Sequence, residues 1–122
     1  MPDETTATHA PQTATREVER DDWPTWCNRL SEERSGHEMR LSFADEALGD
    51  VRLADGIPFI AIDHDELGSA VAFTIRYGAG VVPFRYVIAE PRVVREEPDR
   101  SGDGVRLVIE DSTRRRSFVK IS

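Results

Sequence analysis

At Gly36 the spacing of apolar residues in this chain changes from a period of about 3.6 residues to one of about 2, and no other feature constrains the fold as much. Before it, Trp23, Trp26, Cys27 and Leu30 follow i, i+3, i+4, i+7, which puts all four within about 100° of arc on one helix face. Thr25, Asn28, Arg29 and Glu32 fall on the polar side. Asp22 is placed to cap the helix, with Asp21 also favourable near the positive end of its dipole. Pro24 fits the first turn, where its missing N–H breaks no helical bond. Gly36 supplies the left-handed residue that ends the helix.

After Gly36 the chain reads as strands. Met39, Leu41 and Phe43 alternate with Glu38, Arg40 and Ser42, and Val71, Phe73, Ile75 and Tyr77 alternate in AVAFTIRY. In DVRLADGIPFIAI, Asp55-Gly56 predicts a two-residue hairpin that sets Val51 opposite Ile60 and Leu53 opposite Pro58. Gly78-Ala79-Gly80 turns the chain into VVPFRYVIAE, and Pro91 begins RVVRE. A polar loop, PDRSGDG, precedes VRLVIE, and a tight loop at 111–114 leads into RSFVKI. Upstream, REVER predicts a short edge strand that offers Val18 to the core. The expectation is an α+β fold: one N-terminal amphipathic helix packed on a curved antiparallel sheet or open barrel of six to eight short strands. Its predicted core is Trp23, Trp26, Cys27, Leu30, Leu41, Phe43, Ile60, Phe73, Ile75 and Phe84.

Residues 1–15 carry no apolar period and read as a disordered tail, which leaves residues 16–122 as one domain. The start, MPDETTATHA, has neither a basic nor an apolar segment of a signal peptide. The longest apolar run, around Ile57 to Ile62, is far short of a membrane span. The expected setting is therefore cytoplasmic, away from membranes. A single cysteine excludes an internal disulfide and a cysteine-built zinc site. Net charge is −7 but unevenly spread: residues 1–69 hold 16 acids against 6 arginines, residues 70–122 hold 7 acids against 9 arginines and a lysine. An acidic chain is repelled by phosphate backbones, so no nucleic-acid partner is expected. The split predicts internal attraction, between rows such as Asp50/Asp55 and Arg106/Arg115, and a weak, salt-sensitive homodimer.

With TREVERDDWPTW at the helix start, and RVVREE and VRLVIEDSTRRRSFVKI in the later strands, the chain resembles a family of small bacterial proteins classed only as a domain of unknown function. Members open with a Thr-Arg-Glu stretch and an Asp/Glu-Trp helix start, then continue as a β-rich domain of similar length. The resemblance spans about Thr15 to Ile121 and rests on a cap, an aromatic peg and alternating strands. It implies the fold and brings no activity with it.

Candidate chemistry is sparse. Cys27 as a nucleophile needs a nearby cation, an exposed position and a histidine; it sits mid-stripe between Trp26 and Leu30, where a buried cysteine acts as a small hydrophobe. The one dense group of ligand-type side chains is Asp63, His64, Asp65 and Glu66 in IDHDELGS, with His37 as a distant second imidazole. On an extended segment Asp63 and Asp65 point away from His64, and the spacing matches no calcium loop. An acidic turn is the expected reading, with no metal, no cofactor and no catalytic residue. Arg114, Arg115 and Arg116, with Lys120 and Arg106, form a basic stretch read as a solvated turn that protects a sheet edge. A small β-type nucleic-acid reader interleaves exposed aromatics with its bases, and only Phe118 is near. No activity is legible. The favoured function is a non-catalytic protein-interaction or regulatory module whose sheet or edge meets another chain or a second copy; the alternative is a small-molecule binder or hydrolase-like enzyme with its site near Asp63–Glu66.

Overall fold

The computed structural model describes residues 15–98 and 104–122. Of the tail assigned to residues 1–15, residues 1–14 lie outside the described residues, as does the centre of the PDRSGDG loop, residues 99–103; Thr15 is described, its hydroxyl donating to the Glu97 carboxylate (3.1 Å). The strands are β1 (Arg16–Glu17), β2 (Glu38–Asp45), β3 (Gly49–Leu67), β4 (Ala70–Tyr77), β5 (Phe84–Ala89), β6 (Pro91–Pro98), β7 (Val105–Asp111) and β8 (Arg116–Ile121). They form one open sheet in the order β1-β6-β7-β8-β2-β3-β4-β5, every neighbouring pair antiparallel. One helix, α1 (Trp23–Arg34), packs mainly on β3. The fold is α+β with an open sheet.

The helix stripe is the peg of the core. Trp23, Trp26, Cys27 and Leu30 are all buried. Phe73 of β4 receives both indoles, edge-on to Trp23 at 5.2 Å between ring centroids and tilted to Trp26 at 6.1 Å. Each indole N–H is satisfied as it is buried: Trp23 donates to the Val18 carbonyl (3.0 Å) and Trp26 to the Glu96 carboxylate (2.7 Å). Ser31 fastens the next turn to β3, its hydroxyl accepting the Ile62 N–H (2.9 Å) and donating to the Ile62 carbonyl (3.1 Å). Asp22 holds the cap position but its side chain caps nothing. A 3-10 turn at Arg20–Asp22 leads into the helix instead, and there the backbone N–H groups of Asp22 and Trp23 bond the Glu19 and Arg20 carbonyls.

The expected hairpin at Asp55-Gly56 does not form. Asp55-Gly56 lies inside the 19-residue strand β3, where Met39 faces Ile57 and Arg40 faces Asp55, so Gly56 is the extra residue of a β-bulge. Gly56 does adopt a left-handed conformation, φ +73°, but uses it to bulge the strand rather than reverse it. The reversal occurs earlier, after Asp45, whose carboxylate accepts the N–H groups of Ala47 (2.7 Å) and Leu48 (3.1 Å). Val51 therefore faces Phe43, Pro58 faces Glu38, and Leu53 falls at a second bulge.

Two predicted core residues are displaced, one by a register shift and one by its place at the sheet edge. A register shift between Phe59 and Ala61 leaves Ile60 half-buried and hands the core position to Phe59. Phe84 opens β5, the last strand of the sheet; it is 61% exposed and stacks on Tyr77 at 5.5 Å. Leu41, Phe73 and Ile75 lie in the main core, whereas Phe43, also buried, stacks on Tyr86 at 6.1 Å outside it.

β3 shapes the whole sheet. Its first half pairs with β2 and its second half with β4, so the sheet folds over itself along this one strand. β5 is thereby brought over β8, where the Tyr86 and Ser117 hydroxyls lie 2.7 Å apart in a hydrogen bond. The space between is filled by Trp23, Trp26, Phe59, Phe73, Met39, Leu41, Ile75 and Ile109. β8 runs between β7 and β2, so the hairpins are not laid side by side in chain order. The charge rows expected from that order are replaced accordingly: Arg115 binds Asp45 (3.1 Å), Arg106 binds Glu97 (3.1 Å), and Asp55 binds Arg40 (2.9 Å) and Arg52 (3.7 Å).

Candidate functional site

The Asp63–Glu66 segment sits near the end of β3, and alternation divides it. His64 faces Phe73 across the β3–β4 ladder, its ring 6.1 Å from the phenyl ring. Asp63 and Asp65 take the opposite face. There Asp63 accepts two bonds from Arg76, at 2.7 and 3.2 Å, and Asp65 accepts one from Thr74 at 3.2 Å. That hydrogen bond to Asp63 raises the Arg76 guanidinium above its already high ordinary value. The four side chains are therefore not aimed at a common point, and no group of three or more His, Cys, Asp or Glu among the described residues is placed to hold a metal ion. His37 lies elsewhere, its Nδ1 2.6 Å from the Ser122 carbonyl oxygen.

Cys27 is 1% exposed. Burial, with added repulsion from Asp63 and Asp65, pushes its thiol up to about 12, so the nucleophilic thiolate is scarce at neutral pH.

The outer face of the sheet, opposite the helix, holds a different arrangement. Three ranks of side chains cross β6, β7, β8, β2 and β3 there. The first reads Glu97, Arg106, Lys120, Arg40, Asp55; the second Arg95, Val108, Phe118, Ser42, Arg52; the third Val93, Glu110, Arg116, Ala44, Asp50. Three cations thus stand directly opposite one another in the first rank, an arrangement that opposes folding by mutual repulsion. Glu97 and Asp55 offset part of it from the two ends. Beside this rank, the short side chains of Ser42 and Ala44 lie among longer neighbours and leave a groove of about 550 Å³. Arg40, Arg52, Arg106, Arg116 and Lys120 line it against one acid, Asp50, with Phe118 on its floor. The Arg106 guanidinium lies 5.6 Å from the Phe118 ring centroid.

A second unusual surface is the β5 edge. Phe84, Val87, Val81 and Val82 are all exposed, the two valines of the preceding loop almost fully. β5 pairs only with β4, so every second N–H and C=O along it points away from the sheet.

The basic stretch of the sequence supplied three members of the groove, Arg106, Arg116 and Lys120, but not Arg40, Arg52 or Ser42. Those come from β2 and β3, more than fifty residues away in the chain, and reach the site because β8 pairs with β2. Arg115 turns to the other side, its guanidinium 4.2 Å from the Phe43 ring centroid and bonded to Asp45. Arg114 lies in the tight turn with φ +71°.

The described residues thus define a small α+β domain, a helix seated in an open antiparallel sheet, with no helix long and apolar enough to cross a membrane. The chain belongs to the family of unknown function DUF5335, whose model matches residues 14–122. No curated protein and no solved structure matches it.

Proposed function

We propose that this chain is a non-catalytic protein-interaction or regulatory module of a bacterial cytoplasmic protein, and that another chain, a second copy included, pairs with it along β5. The carrying observation is the open β5 edge with Phe84 and Val87 exposed on it, which offers backbone hydrogen bonds and apolar contact together. The filled interior of the sheet supports the same reading over a small-molecule enzyme. So does Asp63, whose carboxylate is already engaged by Arg76. Neither nucleic acid nor a lipid surface is a partner in this reading, given the net charge of −7. Sedimentation at rising concentration is expected to show a dimer that persists at about 0.5 M salt, where surface charge attraction is screened to a few ångströms. Val87→Lys, which places a charge on the edge, is expected to leave monomer. A dimer that dissolves in salt would move the contact to the charge split instead, and a chain monomeric at about 1 mM would remove self-pairing.

A further inference from the structure

The groove on the outer face is distant in kind from the β5 edge: charged where the edge is apolar, concave where the edge is open. We infer that it binds a small organic phosphate, with the phosphate against the Arg106–Lys120–Arg40 rank and the organic group over Phe118 and Ser42.

Size selects the class of ligand. From β7 to β3 the groove crosses three strand spacings, about 14 Å, and its three ranks extend about 14 Å along the strands. That footprint is roughly 200 Å², a quarter of the roughly 800 Å² that a partner contributes to a standard protein interface. The volume of about 550 Å³ falls within the range of small-ligand pockets. The same 14 Å is too short to track a polynucleotide, which also meets the repulsion of an acidic chain.

Charge selects the chemistry. Neighbouring cations of the first rank are one strand spacing apart, about 5 Å, close enough for a single compact dianion to meet more than one of them. A phosphate monoester carries about 1.5–2 negative charges at neutral pH on three acceptor oxygens, whereas a carboxylate carries one on two. The ion pairs already present do not use up the donors. A guanidinium has five N–H groups, and the pairs of Arg40 with Asp55 and Arg106 with Glu97 hold these side chains in place while leaving others open. Arg116 has no ion pair among the described residues. Like charges gathered in register oppose stability, and such a conflict between local rule and fold is expected where a surface serves a ligand. An anion in the groove relieves it.

The remaining contact is apolar. Phe118 sits between Val108 and Ser42 in the second rank, next to the cations. A flat or carbon-rich group attached to the phosphate packs against the part of that half-buried ring that Arg106 leaves open, and the Ser42 hydroxyl offers it one hydrogen bond.

The test is a titration of the full-length chain at low ionic strength, followed by backbone amide NMR shifts, with phenyl phosphate, inorganic phosphate and a hexaglutamate peptide as probes. Phenyl phosphate is expected to bind one-to-one, shifting Ser42, Phe118 and Lys120, and to bind about threefold or more tighter than inorganic phosphate. Arg40→Gln with Arg116→Gln is expected to weaken it about tenfold, as loss of charge-assisted hydrogen bonds does. Phe118→Leu is expected to reduce phenyl phosphate to the affinity of inorganic phosphate. Arg92→Gln, away from the groove, is expected to change nothing. No saturation by about 10 mM phenyl phosphate, an equal loss in Arg92→Gln, or tighter binding of hexaglutamate would each overturn the assignment. Val87→Lys is expected to leave phosphate binding intact, so the groove and the β5 edge succeed or fail separately.

Discussion

Two charge-rich regions of this sheet, Asp63–Glu66 on β3 and the groove across β7, β8, β2 and β3, are built by opposite rules. In the first, four ligand-type side chains are consecutive in the chain, and the pleat scatters them: His64 toward Phe73, Asp63 and Asp65 to the other face and into pairs with Arg76 and Thr74. In the second, no two of Arg40, Arg52, Arg106, Arg116 and Lys120 are adjacent in sequence, and cross-strand register collects them. Density along a strand is thus a poor guide to a site on a sheet. What counts is density across strands, on one face. The same strands separate duties by face: Ser117, Val119 and Ile121 of β8 are buried, while Arg116, Phe118 and Lys120 line the groove.

The contrast between faces is broken most directly from the inner side. Trp26 is 2% exposed, packs on Phe73 and donates to Glu96, so Trp26→Ala removes a large ring and the shorter of two hydrogen bonds to that carboxylate, leaving the one from Arg16. The expected loss is about 3–5 kcal/mol in urea unfolding. A loss below about 1 kcal/mol would mean that the helix is an accessory to the sheet rather than its peg.

A second, smaller inner effect tests how the helix is fastened. Ser31→Ala removes both bonds to the Ile62 backbone and leaves a buried N–H and C=O without that partner. The expected destabilisation is about 1–3 kcal/mol. Exchange of the Ile62 amide should accelerate more than that of Ile109, which lies in β7 away from the helix. Equal acceleration at both would show that Ser31 contributes only to global stability and does not hold this strand locally.

The inner face was legible in the sequence because its rule is local. Period 3.6 gave the helix stripe and period 2 gave Met39, Leu41, Val71, Phe73 and Ile75, all buried. Where the local rule failed, a bulge was the cause. Gly56 signals a left-handed residue in either a hairpin or a bulge, and only the pairing partner distinguishes them. The slip at Phe59–Ala61 exchanged Phe59 for Ile60 in the core through the same ambiguity. Phe84 fits the strand alternation, but its exposure depends on β5 being the last strand, which is a fact of topology. The groove was illegible for a related reason. It requires β8 to enter between β7 and β2, a pairing of the chain's end with residues near its first third that no local pattern announces.

The smallest expected effect is on the outer face, and it sharpens the comparison most. Arg116 stands between Glu110 and Ala44 in its rank, is exposed, and has no ion pair among the described residues. Removing its charge by Arg116→Gln takes away no buried surface and leaves no buried group unsatisfied. It also lessens the crowding of cations around Ser42. Opposing these gains are the attractions to Glu110, its cross-strand neighbour, and to Asp50 across the groove, which are weak in water and screened by salt. The change in unfolding free energy is therefore expected to stay within about 0.5 kcal/mol of the parent, in either direction. Added phenyl phosphate should raise the midpoint of the parent chain more than that of Arg116→Gln, since only ligand that favours the folded state shifts the equilibrium. A fall of about 2 kcal/mol without ligand would place Arg116 among the residues that hold the fold. The outer face would then be structural, and its cations would need no anion to explain them.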